Sequence, residues 1–163
     1  MEPEGGIGVL TIRGVTPRDV PFLRTWAPVS AWESLPPEER ARTSTLRIQQ
    51  YAQGVLGKAA MTPHLSTILI ADLAGQPVGF ALGSAGRDGT TAEWQGHMMD
   101  IFVLPPFRRR GIGRALGQAL ESHFARLGLR KVKMVGMVHN IPALTLAART
   151  GYKPEGLIGL REW

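Results

Sequence analysis

Apolar and polar positions alternate over IGVLTIR (7–13), so the chain opens on a predicted strand. TPRDVPFLRTW follows, with Thr16 placed to cap a helix and Pro17 at its first position. SLPPEERARTSTLRIQQYAQGVLGKA predicts one longer helix, from about Pro37 to near Gly57. In STILIADLAGQPVGFALGSA two apolar runs flank a turn at Ala74–Pro77, which predicts a hairpin. GRDGT (86–90) predicts another tight turn, leading into a long strand over 91–103 that Pro105 and Pro106 stop. Ile112, Leu116, Ala119, Leu120, Phe124 and Leu127 recur at three- and four-residue spacing, the mark of an amphipathic helix, with Gly128 as its C-cap. A strand over 130–138 and a short helix over 140–150, ended by Gly151, come next. The tail from Tyr152 reads as a last, partly extended piece.

Residues 92–150 therefore form a strand–helix–strand unit, which requires parallel neighbours and a right-handed crossover. The expected class is α+β, with antiparallel N-terminal strands, one parallel unit and flanking helices. A length of 163 residues without repeats favours a single domain over 1–163.

Composition narrows the chemistry. The chain has no cysteine, which excludes disulfides, thiolate catalysis and cysteine-bound metal, and fits a cytoplasmic location. MEPEGGIGVL has no basic segment leading an apolar one, so no signal peptide is expected, and no run approaches the ~18 apolar residues of a membrane span. The net charge of +6 is unevenly spread. Residues 1–100 carry 8 basic and 10 acidic side chains, a net of −2; residues 101–163 carry 11 and 3, a net of +8. The second part is built to meet an anion.

The meeting point is FRRRGIGRAL (107–116). A helix that starts straight after a strand offers free backbone N–H groups and the positive end of its dipole, which suits phosphate. Gly111 and Gly113 let a phosphate approach the backbone, and Arg108, Arg109, Arg110 and Arg114 add positive field. The segment is not a Walker A loop, which needs Gly-Lys-Ser/Thr, and Leu116 stands where a dinucleotide fingerprint needs glycine. No aromatic interleaving or second basic stripe accompanies the arginines, which argues against nucleic acid.

DIFVLPPFRRRGIGRAL resembles the acyl-CoA-binding motif of the GNAT-type N-acetyltransferases, of the form [QR]-x-x-G-x-[GA] at Arg108, Gly111 and Gly113, preceded by Val103, Pro105 and Phe107. Asn140, Ala143, Gly151 and Tyr152 resemble the family's second block. The resemblance implies a GNAT-like mixed central sheet and an acetyl-CoA-dependent enzyme that acetylates a primary amine of a small molecule or peptide directly. It further implies that the backbone of Ile101, Phe102 and Val103 pairs with the pantetheine arm. The N–H groups from Arg109 through Ile112 to Arg114 would hold the pyrophosphate, and Asn140 would bond the pantetheine or act only as a helix cap. Acetyl-CoA would be the donor, with no metal, and a homodimer stays open.

Removing a proton from the amine requires a base, and His97 and Asp100 are the candidates on the strand 92–103, ranked equally, with Glu93 beside them. Alternation sends His97 and Asp100 to opposite faces unless a bulge intervenes. Where many family members carry a tyrosine as general acid, seven residues after the Asn, this chain has Ala147. Water, Tyr51 or His139 could serve instead, and a non-catalytic acyl-CoA sensor is the alternative reading. The acceptor would meet residues of the N-terminal half, among them Trp26, Trp32, Glu33, Glu38, Glu39, Tyr51 and Trp94.

Overall fold

A computed structural model describes residues 8–137 and 139–155. Strand β1 (Leu10–Gly14) leads through a 3-10 turn (Pro17–Asp19) into helix α1 (Val20–Ser34). Helices α2 (Pro37–Arg42) and α3 (Thr45–Met61) follow, then strands β2 (Ser66–Leu73), β3 (Gln76–Arg87) and β4 (Trp94–Val103). A second 3-10 turn (Pro105–Phe107), helix α4 (Ile112–Arg126), strand β5 (Val132–Met134) and helix α5 (Ile141–Arg149) complete the described order. The five strands lie in sequence order across one sheet, antiparallel from β1 to β4 and parallel between β4 and β5. This is the expected α+β class.

Four details differ from the sequence reading. The long helix expected from Pro37 to Gly57 is two helices, because Ser44 turns the chain extended and caps α3 by accepting from the Arg47 N–H at 3.3 Å. Helix α3 then runs on past Gly57 to Met61. The hairpin turn is only Ala74–Gly75, both with positive φ (52° and 87°), as a two-residue turn of the primed type demands. The strand expected over 130–138 keeps three residues, Val132–Met134, after which the chain leaves β4. The tail beyond Glu155 lies outside the described residues.

The sheet separates two cores. On one face Phe124, Leu116, Leu120 and Ile112 of α4 pack on Val78, Ala81 and Met98. Phe124 seats between Gly83 and Gly96, where a methyl group on either strand would come within 2.7 Å and 2.5 Å of its ring. On the other face Leu23 and Ala27 of α1 and Ala52 of α3 cover Ile70, Phe80 and Phe102. Phe80 and Phe102 stack at 5.7 Å, and the half-buried Trp26 stacks on Phe102 at 5.8 Å, packing against this core from α1. A buried ion network fixes the first strand: Arg13 reaches Asp19 at 2.7 Å and Asp72 at 2.8 Å, and Asp19 also accepts from the Thr16 N–H and hydroxyl. The guanidinium holds the Asp19 carboxyl well below the usual carboxylate range.

Candidate active site

The short β5 leaves β4 half paired. Its partners run from Gly96 opposite Val132 to Met98 opposite Met134, and Met99 to Val103 have no neighbour on that edge among the described residues. The ladder to β3 decides which backbone groups face the gap. Leu104 donates to the Val78 carbonyl at 2.9 Å, and Phe102 pairs with Phe80. Antiparallel alternation therefore turns the polar groups of Phe102 into the ladder and those of Ile101 and Val103 outward. Of the three residues expected to offer backbone to an arm, Phe102 is the one whose groups are spoken for. The Arg108 Nε takes the Val103 carbonyl at 2.8 Å, and the Ile101 N–H leans on the Asp100 carboxylate. One outward carbonyl (Ile101) and one outward N–H (Val103) remain, the complement of an amide.

That edge runs into the start of α4. The N-cap is Gly111, with φ of 81°, and no side chain caps the helix. The first bond inside it is Ala115 N–H to Gly111 C=O at 3.0 Å, so the N–H groups of Ile112, Gly113 and Arg114 point forward without a helical partner. Arg109 also has positive φ, 64°. Left-handed conformations at Arg109 and Gly111, separated by Arg110, fold successive N–H groups into a concave nest. A left-handed non-glycine residue costs about 1 kcal/mol, and such strain persists where the surroundings impose it.

The arginines divide. Arg108 bridges Val103 to Glu33 of α1, 2.8 Å from its carboxylate, and lies 5.3 Å from the Phe102 ring centre. Arg110 stacks over Phe107 at 5.6 Å. Arg114, Gly113 and Gly117 line a narrow cleft between α4, α5 and the sheet, with Met98, Ile101, Met134, Leu146 and Ala147. Tyr152 also lines it, but its hydroxyl donates to Glu121 at 2.9 Å, and burial with that carboxylate pushes the phenol up. Asn140 caps α5, its side-chain oxygen accepting from the Ala143 N–H at 3.2 Å.

The opposite face of β4 carries the acid–base candidates. Leu82 pairs with Asp100 and Gly83 with Met98, so Met99 is an extra residue and the strand bulges there. The bulge resets the alternation: His97 lies across from Ser84 and Asp100 from Leu82, which share a face. Both candidates therefore face the α1 side. Asp100 accepts from the Ser30 hydroxyl at 2.8 Å. Burial pushes its carboxyl up to about 6, opposed by the bonds from Ser30 and Ile101 and assisted by the nearby charge of Glu33. His97 lies 3.5 Å from the Gln95 side-chain nitrogen. Glu93 is drawn away to Lys131 at 2.6 Å. Tyr51 is 62% exposed on α3, and Trp94 lies beneath Arg87 at 5.3 Å. His139 is half-buried just before α5, and its buried Nε2 has no hydrogen-bond partner. Ser30 and the Glu33–Arg108 contact escaped sequence reasoning, because a mid-helix serine carries no local signal of a partner 70 residues away.

Among the described residues no group of three His, Cys, Asp or Glu is arranged to hold a metal, and no helix is long and apolar enough to cross a membrane. The whole chain has close structural likenesses. A putative acetyl transferase from Pyrococcus furiosus superposes with a TM-score of 0.76 at 17% identity, covering 95% of this chain and 100% of that one. The aminoglycoside N-acetyltransferase AAC(6')-Iy, solved in complex with CoA, gives 0.71 at 21% identity over 99% of each chain. An aminoglycoside acetyltransferase from an uncultured soil metagenomic sample, in complex with sisomicin, gives 0.64 at 18% identity over 94% of this chain and 95% of that one. At such identities these likenesses establish the fold. The sequence itself matches the acetyltransferase (GNAT) family across residues 26–152, a span that includes the bulged strand, the forward-facing N–H groups and both helices of the cleft. The chain belongs to the GNAT acetyltransferase family.

Proposed function

We propose that residues 1–163 act as a single domain that transfers the acetyl group of acetyl-CoA directly to a primary amine of a small molecule or peptide, in the cytoplasm. The observation that carries this reading is the continuity of the unpaired edge at Ile101 and Val103 with the uncapped start of α4. An amide-bearing arm ending in a pyrophosphate matches that order of groups: an amide complement first, then a nest of N–H donors beside Arg109, Arg110 and Arg114.

Acetyl-CoA supplies an activated thioester carbonyl. The chain's part is to hold the donor by backbone, exclude water with the α4–α5 cleft and take a proton from the amine. An alkylammonium is mostly charged at neutral pH and must lose that proton before it attacks. Asp100 is the stronger base candidate, because it is buried and held by Ser30, and its carboxyl lies near 6, within range of working pH. The new N–C bond forms as the C–S bond breaks, and the proton that the acylated nitrogen sheds passes through water to the thiolate, since Ala147 offers none and Tyr152 is bonded to Glu121. Neighbours that act on aminoglycosides, together with Glu33 and Asp100 on the acceptor face, favour a cationic amine.

Titration with acetyl-CoA by calorimetry tests the donor, and no heat at millimolar ligand would end this reading. Thiol release with a panel of diamines, amino-acid amides, peptides and sisomicin tests turnover. Ala147 favours one other reading, an acyl-CoA-binding sensor without turnover; binding without thiol release across the panel would select it.

A further inference from the structure

We infer that the last turns of α1 govern the Asp100 carboxylate: Ser30 positions it, and Glu33, tied to Arg108, sets the charge it faces. This rests on Asp100 as the base of the proposed transfer, and it assigns positioning roles to two residues outside the family's motif.

Ser30 is 4% exposed, in the middle of an α-helix. A hydroxyl buried in that setting commonly bonds back to the carbonyl one turn earlier. Here it donates 2.8 Å across to Asp100, while Ser34 bonds back to the Ser30 carbonyl at 3.0 Å. One carboxylate oxygen is thus fixed by α1. Glu33, three residues on, lies on the same face of the helix, and its carboxylate is held 2.8 Å from Arg108. That pair is half exposed, with side-chain exposures of 43% and 40%, so a cation entering from solvent can compete for Glu33. The surroundings of Asp100 are otherwise sparse in charge. On its own strand His97 shares the face, and on β3 the partner is Leu82. Lys133 of β5 lies across from His97 but is bound to Asp88 at 2.8 Å and Glu155 at 3.0 Å. The α4 charges lie behind the sheet.

The two α1 residues act in opposite senses. Ser30 donates to the charged form and favours it, whereas the negative Glu33 disfavours it. The test is a pH titration of the Asp100 side-chain carbon by NMR in 13C-labelled full-length protein. Ser30→Ala should move the midpoint up by about one unit, the worth of a hydrogen bond to a charged group. Glu33→Gln should move it down by roughly a few tenths, the smaller effect of a screened charge. The acid limb of thiol release from acetyl-CoA, with the panel amine that reacts fastest, should follow both. A midpoint unmoved in both variants, or moved in the same direction, overturns the inference. So does a rate limb that ignores a shifted midpoint. Unchanged thermal melting excludes misfolding as the cause. The titration needs no donor, so a protein that failed to bind acetyl-CoA would refute the proposed function separately.

Discussion

Strand β4 presents two faces of different construction. Toward α4 and the free edge, the site consists of backbone: outward groups at Ile101 and Val103, forward N–H groups at Ile112 to Arg114, and a left-handed turn at Arg109 and Gly111. Toward α1 it consists of side chains brought from far apart: Ser30, Glu33, His97 and Asp100. Backbone recognition is written in a contiguous motif, because helix starts and glycines sit where the chain needs them. Side-chain chemistry is written in pairs that only the folded sheet assembles.

The largest expected effect would break the α1 side alone. Asp100→Asn should slow thiol release by about 10²–10⁴-fold, the usual worth of a general base, and leave acetyl-CoA affinity within about twofold. If both fell together, the division between faces would be false. Next, Gly111→Glu should break the other side, lowering acetyl-CoA affinity by about 100-fold in calorimetry. It places a carboxylate at the positive helix end and a side chain at φ of 81°.

A third test sharpens the contrast through stability. The Asp100 carboxyl rises to about 6 in the folded chain from its ordinary value of 3.8. The group therefore favours folding fully below pH ~4, and that contribution is lost as pH rises through 6. Asp100→Asn, which stays neutral, should gain about 1–3 kcal/mol over the parent in urea unfolding at pH 8 and little at pH 4. The smallest effect belongs to Arg110→Ala, which should weaken acetyl-CoA by about two- to fivefold, because Arg110 stacks on Phe107 and supplies field rather than a fixed contact.

Legibility followed the same division. The hairpin, the amphipathic α4 and its start within FRRRGIGRAL were readable from spacing and turn residues, since each depends on near neighbours. The break at Ser44 was not, because helix-favouring residues surround a single capping hydroxyl. The early end of β5 was hidden too, as Val135, Met137 and Val138 continue a strand-like pattern; Val135 is 78% exposed where the strand reading would have it paired. Ala147 was conspicuous in sequence, and Tyr152, present beside it in the cleft, is bound to Glu121.

Met99 has a consequence of its own. Counting by twos along a strand works like a reading frame, and one extra residue shifts it. Every position before Met99 is in one phase and every position after it in the other. A related sequence aligned through this strand without a gap, but lacking the bulge, would have its acid–base residues assigned to the wrong side of the sheet. A one-residue deletion there would carry such a residue through the sheet with no change in its identity. In comparing acetyltransferases by pattern, the phase of this strand matters as much as the letters in it.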